Sequence, residues 1–329
     1  MAQARLVEVV RGELTESQHL GSIAVVDNSG TLVLSYGEAD LKTYWRSAAK
    51  PIQALPLVDS GAAAAFDLSP AELAVITASH SGEERHLELV RSILAKINLG
   101  EEHLKCGSHL PYSREAKRKL RQAGRKPGPL YNNCSGKHAG MLALCQHQGW
   151  DVENYLKEAH PLQKYLLDYI SLFTDYPQEK IVRGTDGCGV VVYGLPLKNM
   201  ALAFARLSSP LTVSEDLARA AHKIKAAMLA HPLAIGGEGR FNSVLLQATN
   251  KKLIAKSGAE GVFCFGYQDK GVAIKIIDGH RRALPPVVMK ILSELEVLNE
   301  EEENSLAKYF KPVVTNHRGE EVGFLEPVF

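Results

Sequence analysis

Two serine–lysine pairings stand out by residue type and spacing. Ser47 is followed three residues on by Lys50, and far downstream an apolar run ends in Lys256-Ser257-Gly258. On a helix, positions i and i+3 share a face, so the Lys50 amine comes within reach of the Ser47 hydroxyl. A partly desolvated lysine near another cation loses its proton more easily, and the free amine can then activate a serine. Lys256, placed on a strand edge, supplies that second charge. The chemistry this serves is nucleophilic attack on an amide or ester carbonyl. Spacing alone carries little weight, because Ser305-Leu306-Ala307-Lys308 repeats the pattern in a charged stretch without a partner. Only the combination is informative.

Three further clusters hold reactive groups. Thr77-Ala78-Ser79-His80-Ser81-Gly82 follows an apolar helical stretch and reads either as a helix terminus or as a second hydroxyl, Ser79, in a proton relay. Asn132-Asn133-Cys134-Ser135-Gly136-Lys137-His138 sets a cysteine in a polar, glycine-containing loop beside a cation, a setting that lowers a thiol pKa. Thr185-Asp186-Gly187-Cys188-Gly189 is another glycine-rich loop. Cys134 and Cys188 together suit a soft divalent metal, with Lys137 or water completing the shell. Around Ser47 itself, Arg46 precedes and Pro51 follows Lys50. Near a helix start, unpaired backbone N–H groups would favour an oxyanion, although an N-cap serine is the simpler reading.

The elements that must position these residues change character along the chain. Residues 6–11, 22–27 and 32–36 carry strand patterns, with the turn Asn28-Ser29-Gly30 marking an antiparallel hairpin. Residues 47 to about 231 are mainly helical, with stretches at 83–97, 114–123, 137–148, 161–172 and 214–229. Ser69-Pro70-Ala71-Glu72 adds an N-cap, a proline at the first helical position and a capping-box acid. Residues 124–133 and 183–189 read as loops. Strands return at 252–256, 261–267 and 272–278, then a helix at 284–298 and a polar tail. No strand–helix–strand alternation is present, so a doubly wound parallel sheet is disfavoured. The expected fold is α+β. Residues 1–46 and 232–329 build an antiparallel sheet covered by helices, and 47–231 form a mostly helical lobe with the site in the crevice between them.

Composition bounds the function. The chain has 329 residues, 45% of them hydrophobic, and a formal net charge of +1, so no general attraction to nucleic acid or anionic membrane is expected. The basic run 114–126 lacks interleaved aromatic residues and reads as an exposed helix and loop. No apolar run is long enough to span a bilayer, and no signal-peptide core opens the chain. Five irregularly spaced cysteines do not make a secreted disulfide framework, which points to the cytoplasm. Size and class suggest a homodimer.

Ser47-Ala48-Ala49-Lys50 with Lys256-Ser257-Gly258 resembles the skeleton of penicillin-recognising serine acyl-enzymes. More of the chain, roughly residues 7–286, resembles the asparaginase II family of Rhizobium etli type. Asn133-Cys134-Ser135-Gly136-Lys137-His138-Ala139-Gly140-Met141 is the most specific segment, supported by Asp186-Gly187-Cys188-Gly189 and Lys256-Ser257-Gly258-Ala259-Glu260-Gly261. The resemblance implies a β-lactamase-like fold and hydrolysis of L-asparagine to aspartate and ammonia. It also implies two catalytic pairs, Ser47 with Lys50 and Ser79 with Lys256, and a zinc site of Cys134, Cys188 and Lys137 with Asp186 nearby. The chain departs from the family pattern at Asn242-Ser243, where Asp-Thr or Cys-Thr is usual. A small amino-acid substrate needs both charges matched; Arg46, His80 and Arg240 are candidates for its carboxylate and Asp186 for its ammonium. The competing readings are a penicillin-type serine peptidase or β-lactamase, and a catalytically silent zinc-binding relative.

Overall fold

The computed structural model of the protein describes residues 3–329. The strands are β1 (Ala4–Arg11), β2 (Leu14–Asp27), β3 (Leu32–Tyr36), β4 (Lys42–Tyr44), β5 (Val182–Thr185), β6 (Val191–Pro196), β7 (Leu253–Ser257), β8 (Val262–Tyr267), β9 (Lys270–Ile276), β10 (Val313–Thr315) and β11 (Glu321–Pro327). Eight of them form one antiparallel sheet in the order β10-β11-β1-β2-β9-β8-β7, with β3 beside β2. Both ends of the chain therefore build the sheet, as the pattern predicts. The class is α+β.

Three strand regions exceed the sequence reading. β2 begins at Leu14 rather than near Ser22, because its exposed first half pairs with β1 and carries no apolar pattern to betray it. The expected polar tail instead folds into a helix, Glu300–Phe310, followed by β10 and β11, the latter pairing with β1. That helix starts on an Asn299–Glu302 capping box, and the buried Glu302 carboxylate takes a 2.7 Å ion pair from Lys252. A second, three-stranded sheet, β4-β6-β5, lies inside the segment expected to be helical. The loop expected at 183–189 is in part its β5–β6 hairpin.

Residues Gly21–Val26 of β2 and Gly271–Ile276 of β9 are buried at every position, so both faces of the central sheet are covered. On one face the helix Leu197–Ser208, which the sequence reading did not identify, packs at backbone distance. A Cβ on Gly271 would run into the Ala201 carbonyl oxygen, and one on Gly266 into that of Phe204. Glycine at these strand positions is what admits the helix.

The edge strand β7 carries Lys256, and an amide side chain holds it. Asn242 Nδ2 donates to the Ala255 carbonyl (3.0 Å) and its Oδ1 accepts from Ser257 N–H (3.0 Å). The side chain thus stands in for a neighbouring strand on either side of Lys256. Asparagine, with one donor and one acceptor face, does what an aspartate or cysteine cannot. The departure from the family pattern at this position is therefore a strand-edge contact. Asn242→Asp is expected to lower stability by about 1–3 kcal/mol by losing the donor and facing a carboxylate to the Ala255 carbonyl. Urea unfolding reads this as a lower midpoint at unchanged slope. An unchanged midpoint would show that the amide does not hold the strand.

Candidate active site

The serine–lysine residues meet at a cleft of about 220 Å³, bordered by Ser47, Ser79, Asn133, Arg240, Ser257 and Arg281 among others. Ser47 belongs to a 3-10 turn, Arg46–Ala49, that leads directly into a short helix, Lys50–Gln53. Trp45 precedes it, fully buried, with its N–H donating to the Tyr193 carbonyl of β6 (2.8 Å). Arg46 has φ of 54°, in the left-handed region, a strained geometry for a non-glycine residue and one often found at functional turns. Ser47 does not cap the helix: the cap position is Trp45, with no side-chain hydrogen bond. Opposite, Gly258 follows β7 so close to the turn that a Cβ there would lie 3.0 Å from the Trp45 carbonyl oxygen. The glycine of Lys256-Ser257-Gly258 is thus what lets the two walls approach.

Ser79 lies just beyond the helix Pro70–Ile76, whose Ser69–Glu72 capping box forms as expected. Its Oγ lies 2.9 Å from Lys256 Nζ and 3.2 Å from Lys50 Nζ. Both lysines are buried, each with 1% of its surface exposed. Lys256 also reaches the Ser257 carbonyl (2.8 Å). Burial, reinforced by the neighbouring Lys50 charge, holds the Lys256 pKa well below the usual lysine range. The charged form of the amine that faces the Ser79 hydroxyl is thereby disfavoured. The Lys50 amine meets the Ala78 carbonyl, Ser79 and Cys134 Sγ (3.2 Å), and makes no hydrogen bond to the Ser47 hydroxyl. Of the two expected pairs, Ser79–Lys256 is in contact; Lys50 has turned from Ser47 towards Ser79.

The four residues considered for the substrate's charges lie in different settings. Arg46 donates from Nε to Asp186 Oδ1 (2.8 Å), so each is the other's partner. Asp186 also accepts from the Gly187 N–H (2.9 Å), and borders a void of about 10 Å³ that shares Ser47 with the cleft, rather than the cleft itself. His80 is fully buried, accepts from Gly82 N–H at Nδ1 (3.2 Å), and so donates from Nε2 to Ser135 Oγ (2.9 Å). It stacks on His86, centroids 4.9 Å apart, and burial holds its pKa well below the usual histidine range. His80 is a neutral strut. Arg240 alone of the four borders the cleft, its guanidinium 5.2 Å from the Tyr112 ring centre.

Behind the cleft, Cys134, Cys188 and Lys137 form one buried cluster. Cys134 precedes the helix Ser135–Gln148; its N–H donates to Asn132 Oδ1 (2.8 Å). Gly136 lets that helix press on the helix Pro70–Ile76 that leads to Ser79, since a Cβ there would strike the Val75 carbonyl oxygen. Cys188 sits on the tight β5–β6 turn, where Gly189 N–H donates to the Asp186 carbonyl (2.8 Å). Lys137 Nζ reaches Cys188 Sγ at 3.1 Å. A hydrogen bond from Cys134, opposed by burial and aided by Lys137, brings the Cys188 thiol down to about 5. The same bond and burial push Cys134 up to about 12. Burial disfavours the Lys137 charge, but Cys188, Cys134 and Asp186 outweigh it and hold its pKa above the usual range. Among the described residues no three His, Cys, Asp or Glu side chains gather as a metal cage. Two sulfurs and an amine nevertheless form a soft donor set that suits zinc once Lys137 loses its proton.

Arg281, Asn133 and Ser257 also border the cleft, and the sequence reading named none of them as site residues. Arg281 follows the β9 strand in what reads as an ordinary exposed basic pair, Arg281-Arg282. Asn133 and Ser257 were inside recognised motifs, where adjacency to Cys134 and Lys256 was the available signal.

Among solved structures, Mglu in its native form is similar, with TM-score 0.46 and 18% identity over 85% of this chain and 61% of that one. This chain thus spans less than two thirds of Mglu. A β-lactamase from Mycobacterium bovis gives TM-score 0.42 at 14% identity, over 83% and 94% of the two chains. A Bacillus glutaminase gives 0.40 at 14%, over 84% and 91%. These likenesses are too distant to bear on function, and no curated protein matches the chain. The model of the family described as L-asparaginase II matches residues 7–327, nearly the whole length, and the chain therefore belongs to the L-asparaginase II family of amidohydrolases.

Proposed function

We propose that this protein hydrolyses L-asparagine to L-aspartate and ammonia through a serine acyl-enzyme. The observation that carries the reading is the Ser79 hydroxyl held between two buried lysine amines, on the wall of a small cleft that Ser47 also borders. Ser47 makes no side-chain hydrogen bond among the described residues, which leaves its hydroxyl free to meet a substrate. Ser79, tied to both lysines, is placed to pass protons. In the first step the Ser47 Oγ–carbon bond forms while its proton moves through Ser79 to the uncharged Lys256 amine. The carbon–nitrogen bond then breaks as that proton passes to the leaving ammonia. Water attacks the ester by the same relay in reverse, freeing Ser47 and aspartate. The cleft's volume, below the range of drug-sized pockets, suits a substrate as small as asparagine. Zinc held by Cys134, Cys188 and Lys137 would supply a fixed positive charge that keeps both sulfurs as thiolates.

A second reading makes Ser79 the nucleophile, favoured by the single fact that both amines bond to it and neither bonds to Ser47. Lys256 serves as base in either case.

Ammonia release is expected to be rapid with L-asparagine and much slower with L-glutamine, whose extra methylene displaces the amide carbon. A chromogenic cephalosporin should not change colour. Cephalosporin turnover without ammonia from asparagine would instead establish a β-lactamase.

Ser47→Ala and Lys256→Met should each lower kcat by at least about a thousandfold while the protein stays folded, because covalent catalysis has no cheap bypass. Intact-protein mass spectrometry after acid quench, with incubation long enough for an acylation slowed by the broken relay, should show acyl adduct on Ser79→Ala and none on Ser47→Ala. The reverse pattern would make Ser79 the nucleophile.

Purified protein supplemented with zinc should hold about one ion per chain by elemental analysis, and the Cys134→Ser/Cys188→Ser double variant none. Wild type without metal after supplementation would remove zinc from the proposal.

A further inference from the structure

The cleft is charged on one side only. Arg240 and Arg281 border it together with Ser47 and Ser79, and no aspartate or glutamate does. Neither guanidinium makes a hydrogen bond or ion pair among the described residues. Arg240 is half-buried, and its guanidinium lies 5.2 Å from the centre of the Tyr112 ring. Two unpaired guanidinium groups at one small cavity repel each other and leave ten N–H donors without a counter-ion, an arrangement that an anion relieves.

The loop that carries Arg281 is built rather than loose. Asp278 Oδ2 lies 2.6 Å from Nδ1 of the buried His19. Arg282, next in sequence, donates to His19 Nε2 (2.9 Å) and to Ser17 Oγ (3.1 Å). With Asp278 and Arg282 both tied to β2, Arg281 is the member of the pair left to the cleft. Its partner across the cavity, Arg240, sits at the start of the helix Phe241–Ala248, whose Asn242 grips β7.

Asp186, the carboxylate considered for a substrate ammonium, is already bonded to Arg46 and borders a void of about 10 Å³ next to Ser47 rather than the cleft itself. The site therefore has two partners for a substrate carboxylate and no anionic side chain for an ammonium. We propose that Arg281 joins Arg240 in holding the substrate carboxylate, and that the enzyme selects for that carboxylate alone, so that it also hydrolyses short ω-monoamides of dicarboxylic acids that lack an α-ammonium. This rests on the amidohydrolase reading above. The reaction is the same: the serine oxygen–carbon bond forms, the carbon–nitrogen bond breaks with the proton leaving on ammonia, and water cleaves the ester to a dicarboxylate.

The test compares three amides on the zinc-supplemented wild type: L-asparagine, succinamate (carboxylate without ammonium) and β-alaninamide (ammonium without carboxylate). A site built around a charged or polar group rejects an analogue lacking it by about 10⁴-fold. Succinamate is expected within about tenfold of asparagine in kcat/KM, and β-alaninamide down by about 10³-fold or more. Asparagine turnover with succinamate down by about 10³-fold would overturn the inference and leave the proposed function standing. Arg281→Met should raise KM for asparagine and succinamate alike by about ten- to a hundredfold with little change in kcat, and Arg281→Lys should recover part of it. An unchanged KM in Arg281→Met would overturn the role of Arg281. Because Arg281 is exposed, its replacement is not expected to affect folding, which thermal unfolding checks. Calorimetry of succinate and L-aspartate is read separately from turnover. Comparable affinities, both lost in Arg281→Met, support the carboxylate clamp even if no amide is cleaved; tight aspartate with no succinate binding overturns it.

Discussion

The Ser79 hydroxyl lies between two buried amines, and the rest of the site is arranged to make that contact tolerable. Two ammonium groups converging on one oxygen in a low-dielectric interior would repel strongly, so the charge of one is disfavoured. Lys256 is the one displaced, by burial first and the Lys50 charge second. Lys50 is supported by a carbonyl and a sulfur, Ala78 and Cys134, whereas Lys256 has only Ser79 and the Ser257 carbonyl. The two lysines thus share Ser79 and differ in their other acceptors. Asn242, Gly258 and Gly136 each act upstream of it, one by holding β7, the others by letting backbones approach.

Lys50 also joins two polar clusters that the sequence presents as unrelated. Through Cys134 it touches the sulfur–amine group of Cys134, Cys188 and Lys137, and through Ser79 it touches the relay. A change of charge among the thiols is therefore felt one residue away from the proton path. Arg46, strained and tied to Asp186, links the same cluster to the turn that carries Ser47.

Much of this was legible in the residues. The capping box at Ser69–Glu72, the helices near 84–96 and 114–122 and the three strands after residue 252 follow from local patterns, and all form. The convergence of Ser47, Lys50, Ser79 and Lys256 on one place was legible as motif, because small polar residues at fixed offsets leave a record. What was not legible depends on tertiary partners. The first half of β2 is exposed and polar, and is a strand only because β1 lies beside it. The helix Leu197–Ser208 reads as an apolar run until Gly266 and Gly271 reveal the surface it lies on. The direction Lys50 takes could not be read from i, i+3 spacing, which allows a contact with Ser47 but does not weigh the acceptors around Ser79. Asp186 and Arg46 looked like free charges because each lacks an obvious partner in sequence, and they are 140 residues apart.

The Ser79–Lys256 contact spans 177 residues of chain. Its two halves come from the end of a short helix and from an edge strand whose sheet is completed by both termini. Local helices can form early, but a pairing of such separation must wait until the intervening chain has been ordered and its loop entropy overcome. The reactive geometry is thus among the last things the molecule acquires. A partly folded chain would hold exposed, fully charged lysines, and a lysine in water is a poor base at neutral pH. Under the proposed mechanism, the serine–lysine chemistry would therefore stay dormant until the fold is complete.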